Sequence, residues 1–499
     1  MKRSFDDGPA QEFGNQLAKR TRERRTAAYL LVVLTAGAYL PSPLLPGYQH
    51  AFGFSDLVMT LIYATFALVS APALLLFGPA ADALGPRPVL RSSVGLAALG
   101  SACFALAAGP EWLLAGRAAQ GLALGAATGA ATALMIRNSP AEERLRASML
   151  AGMAFVAGTA AGPIAAGALA QYAPAPTVLP YLIHLALLAE GLRRVSALSA
   201  STPHPRRWRP TRPHVPTGLR ARFATAAATG FLAWTAAGLF LAVIPAVLTR
   251  AARIDDLAIT GGLVGAVLIC SVLAQPLVAR LGAPLAQLTG LGVLTGALSV
   301  LAATGGGSPL ATLIAAVAAG TGHGLAYGGA TAAVDAAAPD EHRGAISSAL
   351  HLAFYLGAGG PAVAVGLLTI SHDLTTAVSW LSAAAAVLAP LVAATVPLVH
   401  RTRHSAPATQ QPLQAEGVCG TPAEMTRSGR HRRIRRFPAI GRPDPRAAAG
   451  HRNTLGRRRG SGGSVGGQAR NERPHRRTRR FPASGHPTRR APASPENTA

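Results

Sequence analysis

An arginine lies inside a long apolar run of this sequence, where an ionisable side chain is costly. Arg117 stands in LLAGRAAQGLALG (113–125) and is followed by Gln120 and Gly121. A cation in hydrocarbon costs at least about 2.5–3.5 kcal/mol on insertion scales, so the guanidinium needs a polar partner or a water-filled cavity. The position favours a role in a proton or substrate pathway. The alternative is that Arg117, which is near one end of its run, extends its guanidinium to the membrane surface.

His323 is the second candidate for proton chemistry. It lies in GTGHGLAYGG (320–329), where glycines permit local unwinding, and Tyr327 follows four residues later on the same helix face. Imidazole titrates near neutral pH and can relay protons. His184 and His351 also lie in apolar runs. Each of these histidines could instead hydrogen-bond a neighbouring helix, so that alternative stays open.

Carboxylates lie at loops or near the ends of the apolar runs, and enzymatic motifs are missing. The first run, AAYLLVVLTAGAYLPSPLLPGYQ, holds no acidic residue, and acidic residues such as Asp56 and Asp335 lie at loops or helix ends. We find no nucleotide-binding glycine loop with lysine, no metalloprotease helix motif and no nucleophile elbow. The three cysteines have no metal-site spacing. We therefore expect no enzyme activity, no cofactor and no metal.

The elements that must position these side chains are apolar helices. Half of the 499 residues are apolar, 14% are charged, and the mean hydropathy is +0.30, whereas soluble proteins carry about 25% charged residues. A spanning helix needs about 20 mostly apolar residues. Such runs lie at 27–47, 57–77, 88–108, 112–136, 147–170, 177–193, 223–249, 258–279, 285–304, 309–334, 345–369 and 375–399. We therefore predict an all-α membrane protein with twelve spans.

The twelve runs form two sets of six around a polar, Pro- and Arg-rich stretch. The predicted segments are 1–26 (cytosolic N-terminal segment), 27–193 (first six-helix bundle), 194–222 (cytosolic linker), 223–399 (second six-helix bundle) and 400–499 (tail). Similar segments recur at offsets of 197–199 residues: FGPAADALGP with AQPLVARLGA, Gly162-Pro163 with Gly360-Pro361, and SPAEERLRAS with APDEHRGAIS. A duplicated unit with a binding site between its halves is typical of transporters.

The basic residues predict the orientation. Lys and Arg are enriched in cytosolic loops of membrane proteins. With the N-terminus inside, 22 of the 25 basic residues before position 400 lie on the cytosolic side, while Arg250 and Arg253 lie outside and Arg117 lies within a span. We therefore expect a multi-pass protein of the plasma (inner) membrane with both termini in the cytosol.

The loop after the second run, GPAADALGPRP (78–88), has residues suited to a gate. Gly78 allows close helix approach, Asp82 can cap or pair near a helix end, Gly85 forms the turn, and Arg87 places a cation beside the membrane. Such a loop can latch two helices in one state and release them in another, or it can be an ordinary turn. The pattern G-x-x-x-D-x-x-G-x-R resembles the signature loop of the major facilitator superfamily.

The resemblance covers about residues 27–399. It implies twelve helices in two six-helix bundles that open a central site alternately to either side. R-x-x-Q-G, beginning at Arg117, resembles the fourth-helix motif of the family, in which the arginine is associated with proton transfer. Many exporters of the family place a carboxylate in the first or fourth span, and the first span here has none.

The fifth run, GMAFVAGTAAGPIAAG (152–167), combines small residues with a proline. Gly158 and Gly162 form a stripe for helix packing, and Pro163 bends the helix. The pattern resembles the fifth-helix motif of drug/proton antiporters. The predicted helix-interface residues are Gly158, Gly162, Pro163, Gly167, Gly360 and Pro361.

The resemblance implies a secondary active transporter. The leading hypothesis is proton-coupled efflux of small drug-like or amphipathic molecules. The expected partners are a small-molecule substrate, protons as coupling ion and the lipid bilayer, and we expect a monomer. A proton-coupled metabolite importer on the same fold, and a non-transporting membrane sensor or anchor with a basic partner-binding tail, are the alternatives.

Residues 400–499 differ from the rest of the chain. They hold 22 of the 47 basic and 5 of the 21 acidic residues, a net charge of +17. Because large apolar residues are few, we predict disorder. HRRIRRFPAIG (431–441) recurs as HRRTRRFPASG (475–485), and such basic segments can bind anionic lipid or nucleic acid. The tail is otherwise a solvated cytosolic extension or the product of out-of-frame translation of GC-rich DNA.

Overall fold

A computed structural model describes four ranges of the chain, 8–77, 80–199, 215–339 and 343–401. Within them the chain forms helices, turns and loops and no strand. The α-helices are α1 Gly8–Tyr39, α2 Leu45–Phe52, α3 Asp56–Phe77, α4 Ala80–Leu84, α5 Pro86–Ala105, α6 Pro110–Arg137, α7 Arg144–Tyr172, α8 Leu179–Ser196, α9 Arg220–Ala242, α10 Ile244–Arg250, α11 Leu257–Leu281, α12 Ala283–Thr304, α13 Pro309–Asp335, α14 Arg343–Leu368 and α15 Leu374–Arg401. The predicted tail beyond residue 401 and most of the linker lie outside these ranges.

The helices coincide with the predicted apolar runs. Eleven helical segments of the described chain are long and apolar enough to cross a membrane. α8 matches the remaining run, at 177–193. Its C-terminal turns carry three charged residues, and the Glu190 carboxylate accepts hydrogen bonds from Arg193 (2.6 and 2.7 Å) and Arg194 (2.7 Å). The all-α membrane fold predicted from the sequence is confirmed.

The first span of each half is broken rather than continuous. α1 ends at Tyr39, a 3₁₀ turn follows at Ser42–Leu44, and α2 completes the span. In the second half, α9 ends at Ala242 and α10 continues from Ile244. Both breaks lie beside prolines, Pro41 and Pro245, because proline lacks the N–H that would continue the helical hydrogen bonds. The short helices α2 and α10 pack against each other.

Two ends of the helical bundle are distinguished by their loops. We call one the Asp56 end; it holds the loops at 53–55, 106–109, 173–178, 251–256 and 305–308. We call the other the Arg144 end; it holds the loops at 138–143 and 197–199. Tyr48 links loops at the Asp56 end, because its hydroxyl donates to the carbonyls of Phe104 (3.1 Å) and Thr177 (3.2 Å).

Each half is built by packing of its own helices, and two long helix pairs make most of the contact between the halves. α1 packs on α6, α7 and α8, and α13 packs on α9, α11 and α12. α7 contacts α11, and α3 contacts α14, across the two halves. The α7–α11 contact is a backbone contact: a Cβ atom on Gly261 would lie 2.3 Å from the carbonyl oxygen of Pro163. Small residues of this kind let membrane helices approach closely.

The helix connections of the two halves share one backbone conformation. Gly85, before α5, has φ 82° and ψ 158°, and Gly282, before α12, has φ 77° and ψ 157°. Positive φ is a conformation that glycine adopts without steric cost. The two glycines lie 197 residues apart in the sequence, so the similarity of the two loops extends to their geometry.

Gly261→Ala should destabilise the protein, whereas Gly262→Ala should not. A Cβ at position 261 collides with backbone of α7, and overpacking of this kind costs about 1–3 kcal/mol. Gly262 has open space within 4 Å, and alanine is the better helix former. The thermal unfolding midpoint of the detergent-solubilised protein measures both effects. Equal midpoints for the two variants would contradict the close α7–α11 contact.

Candidate functional site

Arg117 is held inside the first half by the backbone of α1. It lies on α6, its side chain is fully buried (0% exposed), and its Nη1 donates to the carbonyl oxygen of Ala38. The same nitrogen lies 3.3 Å from Oε1 of Gln120, one turn further along α6. The alternative in which Arg117 extends to the membrane surface does not describe this structure.

The carbonyls that Arg117 and Gln120 contact are available because α1 ends there. In a continuous helix the N–H of residue 41 would donate to the carbonyl of Gly37, but Pro41 has no N–H. Nε2 of Gln120 donates to that carbonyl instead, at 3.1 Å. An unpaired carbonyl in a membrane interior costs several kcal/mol. The R-x-x-Q spacing therefore places two donors of α6 beside the two carbonyls, of Gly37 and Ala38, at the broken end of α1.

Aromatic rings surround the rest of the guanidinium. Its central carbon lies 5.5 Å from the ring centroid of Tyr63 and 5.3 Å from that of Phe66, both on α3. These distances are within the range of cation–π attraction. Nε and Nη2 of Arg117 have no hydrogen-bond partner among the described residues. Two donors of a buried cation are therefore left for a water molecule, an ion or a substrate.

His323 lies on α13, the helix of the second half that corresponds to α6. It is fully buried (0% exposed), with Nδ1 2.8 Å from Oγ of Ser271 on α11. Trp234 of α9 meets the imidazole edge to face at 4.9 Å, and Tyr327 stacks on it at 5.5 Å between centroids. Nε2 of His323 and Nε1 of Trp234 have no partner among the described residues.

A series of aromatic contacts connects the surroundings of Arg117 with those of His323. Phe66, beside Arg117, is 6.4 Å from the ring of Tyr355 on α14. Phe354 immediately precedes Tyr355 on α14. Its ring centroid is 5.2 Å from that of Tyr327, which stacks on His323. Edge-to-face pairs at these distances are favourable. The aromatic contacts of Arg117 and those of His323 thus meet at two adjacent residues of α14, and we call these rings together the aromatic cluster.

The other two histidines are bonded differently. His184 on α8 has Nδ1 2.7 Å from Oγ of Ser101 and Nε2 3.0 Å from the carbonyl oxygen of Val33, so both ring nitrogens are paired. His184 therefore joins α8 to α5 and α1, as the structural alternative predicts. His351 on α14 contacts the carbonyl of Ser347 in its own helix, with Nδ1 at 2.8 Å.

The predicted gating loop is described only in part. Gly78 and the side chain of Asp82 lie outside the described residues. Gly85 precedes α5 with positive φ, as a turn glycine requires. Arg87 lies in the first turn of α5 and is half-buried.

The predicted interface glycines of α7 face two different helices. A Cβ on Gly158 would lie 2.3 Å from the carbonyl oxygen of Val32, and one on Gly162 would lie 2.3 Å from that of Ala36, both in α1. Gly167 faces α11 instead, with the carbonyl oxygen of Leu257 at 2.3 Å. Pro163 lies inside α7, and its carbonyl meets Gly261 of α11.

Two glycine predictions need correction or refinement. Gly360 is exposed on α14, and no atom lies within 4 Å of where its Cβ would be, so it is not an interface contact; Pro361 follows it inside the helix. Successive residues of a helix point about 100° apart. The neighbouring Gly359 therefore faces α3, and a Cβ on it would lie 3.2 Å from the Cβ of Ala67. Gly121, assigned to the pathway, packs on α3 with the Phe66 carbonyl oxygen 2.8 Å from its Cβ position.

A polar cluster at the Asp56 end was not recognised as a site in the sequence. Arg250, the last residue of α10, donates to both carboxylate oxygens of Asp56, at 2.8 and 2.6 Å. It also donates to Oε1 of Gln49 on α2, and Nε2 of Gln49 donates to Asp56 at 2.8 Å. The ion pair joins the two halves across 194 residues. The sequence gives one indication of this pair: Asp56 follows the first span of the first half, and Arg250 ends the first span of the second half.

A cavity opens at the opposite end, between α1, α6, α7 and α11. Its volume is about 490 Å³, and Met135, Met153, Val272, Arg24 and Arg25 are among its lining residues. Within the described ranges, no group of three His, Cys, Asp or Glu side chains could hold a metal ion. A smaller cavity of about 320 Å³ borders the Asp56–Arg250 pair at the Asp56 end. The two ends differ in that an ion pair joins the halves beside the smaller cavity, whereas the larger cavity is lined mostly by apolar side chains.

Comparisons with known proteins agree with this architecture. The sequence profile described as Major Facilitator Superfamily matches residues 27–362. No curated protein sequence gives a significant match.

Solved structures share the fold at low identity. A bacterial homologue of the human lysosomal transporter Spinster, inward-facing and unoccupied, has a TM-score of 0.58 at 16% identity, covering 77% of this chain and 97% of that one. The occupied form of that protein has a TM-score of 0.58 at 17% identity, with the same coverage of both chains. A bacterial homologue of human drug peptide transporters gives 0.60 at 16% identity, covering 77% of this chain and all of the other (100%).

The family match spans both halves of the helical bundle, from α1 into α14. It includes Arg117, the aromatic cluster and the ion pair between the halves. The chain therefore belongs to the Major Facilitator Superfamily and is a multi-pass membrane transporter rather than an enzyme.

Proposed function

We propose that this transporter exports small drug-like or amphipathic molecules in exchange for protons, by alternating access in the plasma membrane. The observation that carries the proposal is the difference between the two ends. An ion pair between the halves bridges the Asp56 end and borders a cavity of about 320 Å³, and a larger cavity of about 490 Å³ opens at the Arg144 end. The inside-positive distribution of Lys and Arg assigns the Arg144 end to the cytosol. The cavity then receives substrate from the cytosol.

The Asp56–Arg250 pair is suited to a gate that must open in each cycle. The two side chains are partly exposed, 16% for Asp56 and 44% for Arg250. Exposed ion pairs contribute about 0–1 kcal/mol each, so the pair biases the closed state without locking it. Asp82 and Arg87 are proposed as the gate at the other end, as the loop resemblance implies.

Proton coupling is assigned to Arg117 and His323. Ser271 holds Nδ1 of His323, and Nε2 is unpaired within the described chain, so one nitrogen can exchange a proton while the ring stays in place. The ring contacts Trp234 and Tyr327 of the second half, and Tyr327 in turn contacts Phe354 on α14, a helix that packs on α3 of the first half. Protonation of His323 would add a second cation to an interior that already holds Arg117, which favours a state open to water.

The fold neighbours agree with transport as the activity. The solved structures that share the fold include homologues of a lysosomal transporter and of drug peptide transporters. The drug/proton antiporter assignment rests on the α7 motif, whose Gly158 and Gly162 approach α1 and whose Gly167 approaches α11. A helix with backbone contacts on both sides can transmit a movement of one half to the other.

Breaking the ion pair should open the Asp56 end. In a cysteine-free background, Thr60→Cys places a thiol at a buried contact between α3 and α14, where Gly366 faces Thr60. Asp56→Asn should raise the rate at which this thiol reacts with a membrane-impermeant maleimide by several-fold, because the gate loses its charge pair.

Arg253→Gln is the matched control, since Arg253 is exposed and lies three residues beyond Arg250. The exchange Asp56→Arg with Arg250→Asp should restore slow labelling. If labelling is equally slow in Asp56→Asn and in the unmodified background, the pair is not a gate.

His323→Gln should abolish the dependence of transport on the proton gradient. Glutamine can keep a hydrogen bond to Ser271 but does not titrate. Efflux of a panel of fluorescent drug-like compounds from proteoliposomes, with and without an imposed pH gradient, measures the dependence. His184→Gln is the control, because both nitrogens of His184 are already paired. Gradient dependence retained in His323→Gln would refute the assignment.

A further inference from the structure

The cavity at the Arg144 end has an apolar surface and two cations. Met135 of α6, together with Leu150 and Met153 of α7, supplies apolar contacts. Val272 adds an apolar contact from α11, so both halves line the cavity. Its volume of about 490 Å³ is in the range of small-molecule sites, about 300–1,000 Å³. Methionine side chains are flexible and polarisable, and they fit apolar ligands of different shapes.

The cations come from one turn of α1. Arg24 and Arg25 both line the cavity. Arg24 has a single ion pair, to Glu143 at 3.5 Å, and both partners are partly exposed. Arg25 is exposed and has no ion pair within the described chain. The adjacent Glu23 is directed away from the cavity, since Asn138 donates to its carboxylate at 3.0 Å.

The positive charge continues toward the interior. Ala38, whose carbonyl binds Arg117, lies 14 residues beyond Arg24 on the same helix, which corresponds to about 21 Å along α1. Two nitrogens of Arg117, Nε and Nη2, have no partner in the described chain. Besides Arg117, Glu23 is the only charged side chain that is buried among the described residues. The cavity mouth and the interior of the first half therefore each hold uncompensated positive charge.

We propose that the cavity selects amphipathic anions: molecules with an apolar body and one acidic group, such as a carboxylate. The proposal rests on the transport function proposed above and names its substrate class. The acidic group pairs with Arg24 and Arg25 at the mouth, and the apolar body packs on the methionines. A cationic amphipath of the same size meets two like charges in a partly desolvated site and is disfavoured.

Three probes with the same chain test the charge preference. Dodecanoate, dodecyltrimethylammonium and dodecanol are titrated into the full-length protein in phosphatidylcholine nanodiscs, and binding is followed by calorimetry. Dodecanoate should bind about tenfold more tightly than either of the others, because only it can pair with the guanidinium groups. Tighter or equal binding of the ammonium compound, or no binding of dodecanoate, overturns the inference.

Charge-neutralising variants locate the effect. Arg24→Gln with Arg25→Gln should lower the affinity for dodecanoate about tenfold and leave that for dodecanol unchanged. Arg22→Gln is the matched control, because Arg22 is exposed on the same helix and contacts the carbonyl of Ala197. An equal loss in the control variant contradicts a site at the cavity.

Two further measurements are needed. Competition by lipid identifies the source of the anion, and comparison of binding with efflux separates the substrate class from the proposed function. Competition by phosphatidylglycerol in the nanodiscs identifies a membrane lipid as the source of the acidic group, and its absence identifies a free acid. The binding assay needs no proton gradient. Anion-selective binding without gradient-driven efflux of dodecanoate would refute the proposed function alone, whereas efflux of cationic compounds only would refute the substrate class alone.

Discussion

The hydrogen bonds from α6 to the broken end of α1 are the interaction on which the first half depends. Pro41 leaves the Gly37 carbonyl without its helical donor, and lipid cannot supply one. Gln120 and Arg117 provide donors to Gly37 and Ala38. The break in α1 and the buried cation therefore explain each other: the helix end needs donors, and the arginine needs acceptors. Because the carbonyls use only part of the guanidinium, the remaining N–H groups are available for chemistry.

Close backbone contact is the second constraint, and it determines how the halves meet. α7 approaches α1 through Gly158 and Gly162 and approaches α11 through Gly167. Lipid provides little hydrophobic drive for helices to associate, so close packing and hydrogen bonds hold them. Backbone contacts of this type pack closely but include few hydrogen bonds or ion pairs between the two halves. The proposed movement of one half against the other would then require only that the few polar contacts at an end break.

Charge is distributed unequally along the proposed route. The Asp56 end carries an ion pair between the halves, the interior holds Arg117 and the neutral aromatic rings around His323, and the cavity mouth carries Arg24 and Arg25. A route with guanidinium groups at two levels attracts anions and repels cations. The proposed coupling by histidine fits such a route, because a proton on His323 would change the charge of the interior of the second half.

Much of the fold could be predicted from the sequence, because hydropathy is a local property. The twelve apolar runs correspond to the observed helices, and the α6 motif indicated a buried arginine that needs a polar partner. The identity of the partner was decided by tertiary structure: the acceptors are carbonyls of α1, 79 residues away in sequence. The same holds for the distinction between the fully bonded His184 and His323, for the exposed face of Gly360, and for the Asp56–Arg250 pair. Each depends on the rotation and register of helices that are distant in sequence, and a pattern within one helix carries no information about its neighbour.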